Sequence, residues 1–333
     1  MPPRVAISAG KSLFESFFSA DHQRRLRGIC NVGRDGARTI TPSLRRQLAN
    51  ADALITTWDS PKFDETLLQV APRLRVVAHC GGEVKTRFAA PLFDKLTIVN
   101  AANPMARATA EMGAALLLYC ARDIDHYRIA TRKSNRIYSD VHLHGGVENL
   151  FGREVAMIGF GRIGRALVDL MRGFDLRWIV YDPFAPRSLA RNYPVTFRDL
   201  KPLLRGAELL VLAAALTEQT RGLLNRKTLA LLPDGAAIIN IARGGLVDLP
   251  AFTREVRAKR LRCALDVTDP VEPLPMNHPL RKLPGAILTP HIGGSSRRVR
   301  REIATSIIDD LENFFHGRPV QNRVTRPMLE RMT

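Results

Sequence analysis

The segment VAMIGFGRIGRALVDLMRGFDLRWIVYD, residues 155–182, restricts the folds open to this 333-residue chain more than any other. Its apolar run Val155–Ile158 predicts a buried strand, and the periodicity of Arg165–Met171 predicts a helix soon after it. Gly159, Gly161 and Gly164 occupy the turn between them. Each glycine has its own physical task. Gly159 permits the tight turn, Gly161 lets a pyrophosphate approach the backbone, and Gly164 lets helix and strand pack closely. The first N–H groups of the new helix, around Arg162 and Ile163, face the phosphates. Asp182 closes a second apolar strand, Trp178–Tyr181, eighteen residues after Gly164. Its carboxylate would accept hydrogen bonds from an adenosine ribose and repel a 2′-phosphate, so NAD is expected over NADP. A glycine triplet alone also occurs in ordinary loops; strand, triplet, helix, strand and terminal acid together specify a dinucleotide site.

The length predicts two domains. No apolar run is long enough to cross a bilayer, and the start MPPRVAISAG lacks the apolar core of a signal peptide, so a cytoplasmic protein without a membrane partner is expected. Cys30, Cys80, Cys120 and Cys263 are scattered without metal-ligand spacing and predict reduced thiols. The pair His142 and His144 lacks further ligands nearby, so it predicts a surface loop and not a metal site. The net charge of +18 comes mostly from arginines spread along the whole chain. The densest cluster, Arg297, Arg298, Arg300 and Arg301, predicts a solvated helix face. No nucleic-acid motif accompanies it, so the charge predicts steering of anions and not a nucleic-acid partner.

Strands are expected at 4–9, 53–57, 74–78 and 97–100, with a helix over 12–27, as in a small open α/β unit. One long helix is expected from about 108 to 137. Further strands are expected at 209–213, 237–240, 263–266 and 286–288, then a last helix over 297–315 and an irregular tail. The dinucleotide motif thus lies mid-chain, which predicts a nucleotide domain inserted into a second domain, with a catalytic cleft between the two.

Three segments that follow expected strands carry polar chemistry: NIARGGLVD (240–248), CALDVTDPVEPLP (263–275) and LTPHIGG (288–294). Open α/β sheets place ligand groups at such strand ends. The segments offer Arg243, Glu272 and His291. An arginine can hold a substrate carboxylate through paired hydrogen bonds and polarise the adjacent carbonyl. A histidine can give a proton to that carbonyl oxygen while hydride reaches the carbon, and a carboxylate beside it orients the imidazole. The set suits hydride exchange between a nicotinamide and a 2-oxo acid.

On these motifs the chain resembles the D-isomer-specific 2-hydroxyacid dehydrogenases, the family of phosphoglycerate, glycerate, lactate and formate dehydrogenases. GFGRIG at 159–164, Asp182, NIARGGLVD, LDVTDPVEP at 265–273 and LTPHIGG carry the resemblance, in this order and over almost the entire chain. It implies two Rossmann-like, doubly wound α/β domains with mainly parallel sheets around an interdomain cleft. The substrate domain would comprise 1–103 plus 292–333, and the NAD domain 104–291. It implies Arg243 as the substrate-binding arginine, His291 as acid/base and Glu272 as its partner. Cofactor contacts would come from Gly159, Gly161, Arg162, Ile163, Gly164, Asp182, Thr217, Ala242, Asp266, His291 and Gly293, with Asp266 at the nicotinamide end. It also implies a homodimer built largely through the nucleotide domain.

The family's substrate loop matches AHCGGEVKT, 78–86, where backbone N–H groups around Cys80, Gly81 and Gly82 would hold the substrate carboxylate. Two departures stand out. Glu83 follows the glycines directly; it either points at the substrate and selects a cationic or hydroxyl-rich end, or points outward beside Lys85 or Arg87. Glu272 lies six residues after Asp266 where many members have five, and Asp269 is the other carboxylate of that loop. The chain ends at Thr333, so the serine-sensing domain of some phosphoglycerate dehydrogenases is not expected. The leading expectation is an NAD-dependent dehydrogenase of a small 2-hydroxy or 2-oxo acid. The alternative from another class is an NAD(H)-sensing, corepressor-like interaction protein on the same fold.

Overall fold

A computed structural model describes residues 2–36, 38–144 and 148–332. The chain divides into two compact units, residues 1–105 with 294–333 and residues 106–293. Unit 1 holds β1 (Arg4–Ser8), β2 (Asn31–Asp35), β3 (Ala53–Thr56), β4 (Val76–His79) and β5 (Thr97–Val99). Unit 2 holds β6 (Glu154–Ile158), β7 (Arg177–Tyr181), β8 (Val195–Phe197), β9 (Leu209–Leu212), β10 (Ala237–Asn240), β11 (Arg262–Leu265) and β12 (Ala286–Leu288). The tail returns to unit 1 as β13 (Arg323–Val324).

Among the described residues, unit 2 carries a seven-stranded sheet ordered β12-β11-β10-β9-β6-β7-β8, and every neighbouring pair in it is parallel. The order reverses at β6, which lies between β9 and β7, so the sheet is doubly wound with its switch point at the end of β6. Successive residues of the central strands feed opposite cores. Ala156, Ile158, Leu210, Leu212 and Ile238 pack on one face, while Val155, Met157, Leu209, Val211 and Ile239 pack on the other. Each large apolar side chain buried this way contributes about 1.5–3 kcal/mol. Unit 1 repeats the principle with a six-stranded sheet ordered β13-β5-β4-β3-β1-β2 among the described residues, parallel except where β13 joins β5.

The elements differ from expectation where local pattern is weak or where a distant group intervenes. The edge strands β2 and β8 add to the expected set; as half-solvated edges they lack a continuous apolar run. The segment 12–27 is two helices, Lys11–Phe17 and Ala20–Ile29; Ser19 N-caps the second by accepting from the backbone of His22. The expected helix over 108–137 is also divided, into Ala102–Ala121, Ile124–Lys133 and Arg136–His144. At the first break Asp123 adopts a positive φ of 46°. Arg262, from β11, bonds both the Asp123 carboxylate (2.9 Å) and the Cys120 carbonyl (3.2 Å), which caps the long helix.

The tail is not wholly irregular, since β13 pairs with β5. His142 lies on the helix Arg136–His144 and not in a loop, its Nδ1 2.7 Å from the Tyr138 carbonyl oxygen; the His144 side chain and Thr333 lie outside the described residues. The arginine cluster is solvated only in part. Arg300 bonds Ser16 Oγ at 2.8 Å and Arg301 bonds the Glu15 carbonyl at 3.0 Å, so both dock on the first helix.

Candidate active site

The groups singled out in unit 2 all lie at the carboxyl ends of its strands, on the edge where the switch point opens. Gly159 leaves β6 with φ +92°, and a side chain there would run into the backbone of Ala213 and Ala214. Only glycine satisfies both demands. A Cβ on Gly164 would lie 2.7 Å from the Gly159 carbonyl oxygen and 2.9 Å from Met157 Sδ, so helix Arg162–Leu170 packs directly on the turn. Gly161 differs: a Cβ there meets no protein atom within 4 Å, and no side chain caps the helix it begins. An open glycine face before uncapped helical N–H groups fits a pyrophosphate.

Asp182 takes part in the same turn. One carboxylate oxygen accepts from Phe160 N at 2.7 Å, and the other from Phe184 N (2.8 Å) and Ala185 N (3.0 Å). The acid expected to meet a ribose therefore also ties the glycine turn to the loop after β7. Thr217, after β9, accepts and donates within a turn closed by Thr220, whose hydroxyl receives the Thr217 N–H at 2.7 Å.

Three loops converge beside them. After β10, the Asn240 side chain brackets its own loop, donating to the Arg243 carbonyl (3.0 Å) and accepting from Ala242 N (3.0 Å). The half-buried Arg243 guanidinium bonds the Ala242 carbonyl at 2.8 Å. Gly244 presses on the backbone of Thr268 and Asp269 so closely that no Cβ fits. That approach locks the loop after β10 to the loop after β11, where Glu272 accepts from Thr268 N at 3.0 Å. The other Glu272 oxygen lies 2.7 Å from His291 Nδ1. Glu272, not Asp269, thus partners the imidazole; the Asp269 carboxylate lies instead 3.9 Å from Arg221. The extra residue of this loop is accommodated in a turn where Thr268 Oγ1 bonds the Val271 carbonyl at 2.8 Å.

His291 stands on the loop after β12 with φ +54°. Asp266 holds that loop from beneath. Only 2% exposed, it accepts from Thr289 Oγ1 (2.6 Å), Ile292 N (3.0 Å) and Gly293 N (2.9 Å), while its carbonyl accepts from His291 N (2.9 Å). Gly293 is required there, since a Cβ would sit 2.9 Å from the carboxylate. Thr268, Thr289 and Asn240 were not singled out from the sequence, although each lies inside a motif that was.

In unit 1, Cys80, Gly81 and Gly82 follow β4. Cys80 is fully buried, and burial pushes its thiol well above the usual range, so it is a packed and unreactive group. Gly81 is tight against aromatic groups, as a Cβ would lie 2.6 Å from His79 Nε2 and 2.9 Å from Trp58 Nε1. Glu83 turns onto its own loop, accepting from Thr86 N (2.6 Å) and Thr86 Oγ1 (2.8 Å). Neither Lys85 nor Arg87 forms an ion pair with it; Arg87 instead bonds the carbonyls of Trp58 and Ser60.

His79, beneath this loop, is 1% exposed and bonds Thr56 Oγ1 at 2.8 Å. Burial, aided by the nearby Arg87 charge, depresses its pKa to about 3. The unfolded chain therefore takes up a proton near pH 6.5 that the folded chain refuses. His79 stabilises the fold above that pH, and the contribution fades as pH falls toward about 3. Urea midpoints should fall by the equivalent of roughly 1.5 kcal/mol more in wild type than in His79→Gln between pH 6.5 and pH 5. Equal pH slopes for the two proteins would show that His79 is not the group responsible.

Residues 114–293 match the family described as D-isomer specific 2-hydroxyacid dehydrogenase, NAD binding domain. The glyoxylate reductase of Aeropyrum pernix is 30% identical over 301 residues, covering 86% of this chain and 87% of that protein. The chain belongs to the D-isomer specific 2-hydroxyacid dehydrogenases. The family's NAD-binding domain coincides with the doubly wound sheet of unit 2 and with the open glycine turn. The D-3-phosphoglycerate dehydrogenase of Methanocaldococcus jannaschii is 30% identical over 287 residues, 85% of this chain. This dehydrogenase-family chain spans about half the length of the phosphoglycerate dehydrogenases it matches, 53% in that case. Among solved structures, the TT0316 protein of Thermus thermophilus superposes with a TM-score of 0.76 at 29% identity, covering 97% of this chain and all of that one. Among the described residues no helix is long and apolar enough to cross a membrane.

Proposed function

We propose that the protein is an NAD-dependent oxidoreductase acting between a D-2-hydroxy acid and its 2-oxo acid, with unit 2 as the nucleotide domain and unit 1 as the substrate domain. The hydrogen-bonded pair Glu272–His291 carries this reading, because it is a complete acid/base couple locked to the arginine loop through Gly244. Glycines 159, 161 and 164 and the first turn of helix Arg162–Leu170 would hold the pyrophosphate. Asp182 would meet the ribose, and Thr217, Ala242, Asp266 and Gly293 would line the remaining cofactor contacts. When bound, the nicotinamide supplies hydride to C2 of the oxo acid.

The protein's own part is binding, orientation and proton transfer. Arg243 pairs with the substrate carboxylate and polarises the carbonyl, and the N–H groups around Cys80, Gly81 and Gly82 add donors to the same carboxylate. Glu272 accepts the Nδ1 proton of His291, which fixes the ring and leaves Nε2 to deliver a proton to the carbonyl oxygen. In the oxidative direction Nε2 takes the proton back. The names of the relatives, glyoxylate reductase and D-3-phosphoglycerate dehydrogenase, support the reaction class.

The test is oxidation of NADH by the purified protein against glyoxylate, pyruvate, hydroxypyruvate and phosphohydroxypyruvate, repeated with NADPH. Turnover is expected with NADH, with NADPH weaker because Asp182 repels its extra phosphate. NADH binding without turnover on any 2-oxo acid would refute the enzymatic reading. A homodimer is part of the same proposal. The helix Ile124–Lys133 buries none of its side chains, and the next helix exposes Tyr138 and Leu143, an apolar surface that a second copy would cover. Light scattering on the same preparation should return twice the chain mass.

A further inference from the structure

Unit 1 contains a cation whose surroundings the proposed chemistry does not yet use. Arg300, on the first turn of helix Arg297–Phe315, lies half-buried with its guanidinium carbon 4.9 Å from the Trp58 ring centre and 5.5 Å from that of Phe17. Nη1 donates to Ser16 Oγ (2.8 Å) and Nε to the Ser295 carbonyl (3.3 Å). Both acceptors are neutral. Among the described residues no carboxylate lies within ion-pair distance of Arg300, whereas Arg25, Arg260 and Arg262 each reach one. Burial alone acts on its pKa and lowers it, with no acid opposing the shift. A guanidinium in this state has been partly stripped of water without receiving a counter-charge, which makes it a receptor for an anion.

Its position says which anion. The indole under Arg300 is the one whose Nε1 abuts Gly81, so the cation lies one ring's breadth from the loop assigned to the substrate carboxylate. The segment carrying the ring is held on three sides. Thr57 N donates to Ser60 Oγ at 2.8 Å, Arg87 holds the Trp58 carbonyl at 3.2 Å, and Phe17 meets the indole edge-on at 5.0 Å. Glu83, the acid nearest in sequence to the glycines, is turned onto Thr86 and leaves Arg300 unneutralised.

The geometry points to Arg300, laid on Trp58 beside the Gly81–Gly82 loop, as the residue that determines specificity by taking a second anionic group at the far end of the 2-oxo acid. This rests on the dehydrogenase reading and narrows its substrate to a dianionic oxo acid, the tail being a carboxylate or a phosphate. No bond is made or broken at Arg300; it binds and orients.

The test compares kcat/KM for 2-oxoglutarate and phosphohydroxypyruvate, the two dianions, with that for glyoxylate, which has no tail. In Arg300→Met, which keeps the bulk over Trp58, the dianion-to-glyoxylate ratio should fall about a hundredfold, whereas Arg300→Lys should retain most of it. Which dianion suffers more identifies the tail as phosphate or carboxylate. An unchanged ratio in Arg300→Met overturns the proposal while glyoxylate turnover keeps the dehydrogenase reading intact. A second readout is independent of turnover: quenching of tryptophan fluorescence in the NAD-loaded chain by each dianion. Quenching that weakens about a hundredfold in Arg300→Met, with no turnover of any oxo acid, would sustain the anion site and sink the dehydrogenase reading instead.

Discussion

His291→Asn should lower kcat for oxo-acid reduction by about a thousandfold while NADH still binds. The substitution deletes the Nε2 proton donor and breaks the 2.7 Å bond from Nδ1 to Glu272. Asparagine is the appropriate replacement because residue 291 has φ +54°, a conformation in which Asn is far better tolerated than Gln or a branched residue. The loop itself should survive, since Asp266 holds it through the backbone N–H groups of His291's neighbours Ile292 and Gly293 and through Thr289. Stopped-flow oxidation of NADH at fixed pH reads the rate, and thermal unfolding checks that the fold is unchanged. Turnover within tenfold of wild type would take the proton-transfer role away from His291.

The second large effect is expected far less obviously, at a glycine. Gly244→Ala should cost about 3 kcal/mol of stability and at least about a hundredfold in kcat, because its Cβ has nowhere to go except into the peptide linking Thr268 and Asp269. Backbone cannot yield as a side chain does. The loop after β11 must move, and with it Thr268 N, which fixes Glu272, and Glu272, which orients His291. Gly245→Ala is the control. Its Cβ would meet the end of the Leu216 side chain at 2.9 Å and of Arg221 at 3.2 Å, both flexible, so a much smaller loss is expected. Combined with Glu272→Gln, Gly244→Ala should add little further loss of kcat, since both act through one contact. Equal, mild effects at the two glycines would show that the inter-loop lock is not what organises the couple.

The two glycines illustrate how far a linear reading reaches. In NIARGGLVD they are indistinguishable, and only the neighbouring loop, more than twenty residues away, separates one that is indispensable from one that is adaptable. The same holds for the acids. Glu272 is the partner the family resemblance implies, but Asp269 stands in the same proline-rich loop, and what separates them is Thr268 N, which donates to Glu272, and Arg221, which approaches Asp269. Nothing in RRVRR distinguishes the arginine that lies on Trp58 from neighbours expected on a solvated face. Asp123 breaks a helix that periodicity would continue, and the residue that caps the break, Arg262, comes 139 positions later.

What was legible along the chain is what short-range physics dictates. Buried parallel strands need unbroken apolar runs, a strand-to-helix turn that admits phosphate needs glycines at set offsets, and the acid ending the next strand follows from the same unit. Those signals are local, so they gave the α/β class, the dinucleotide turn and the three loops bearing Arg243, Glu272 and His291. Charge partners, edge strands and the difference between a packed and an adaptable glycine depend on groups brought together from distant positions. Their energies are set by distance and desolvation in three dimensions, and no spacing in the sequence encodes them.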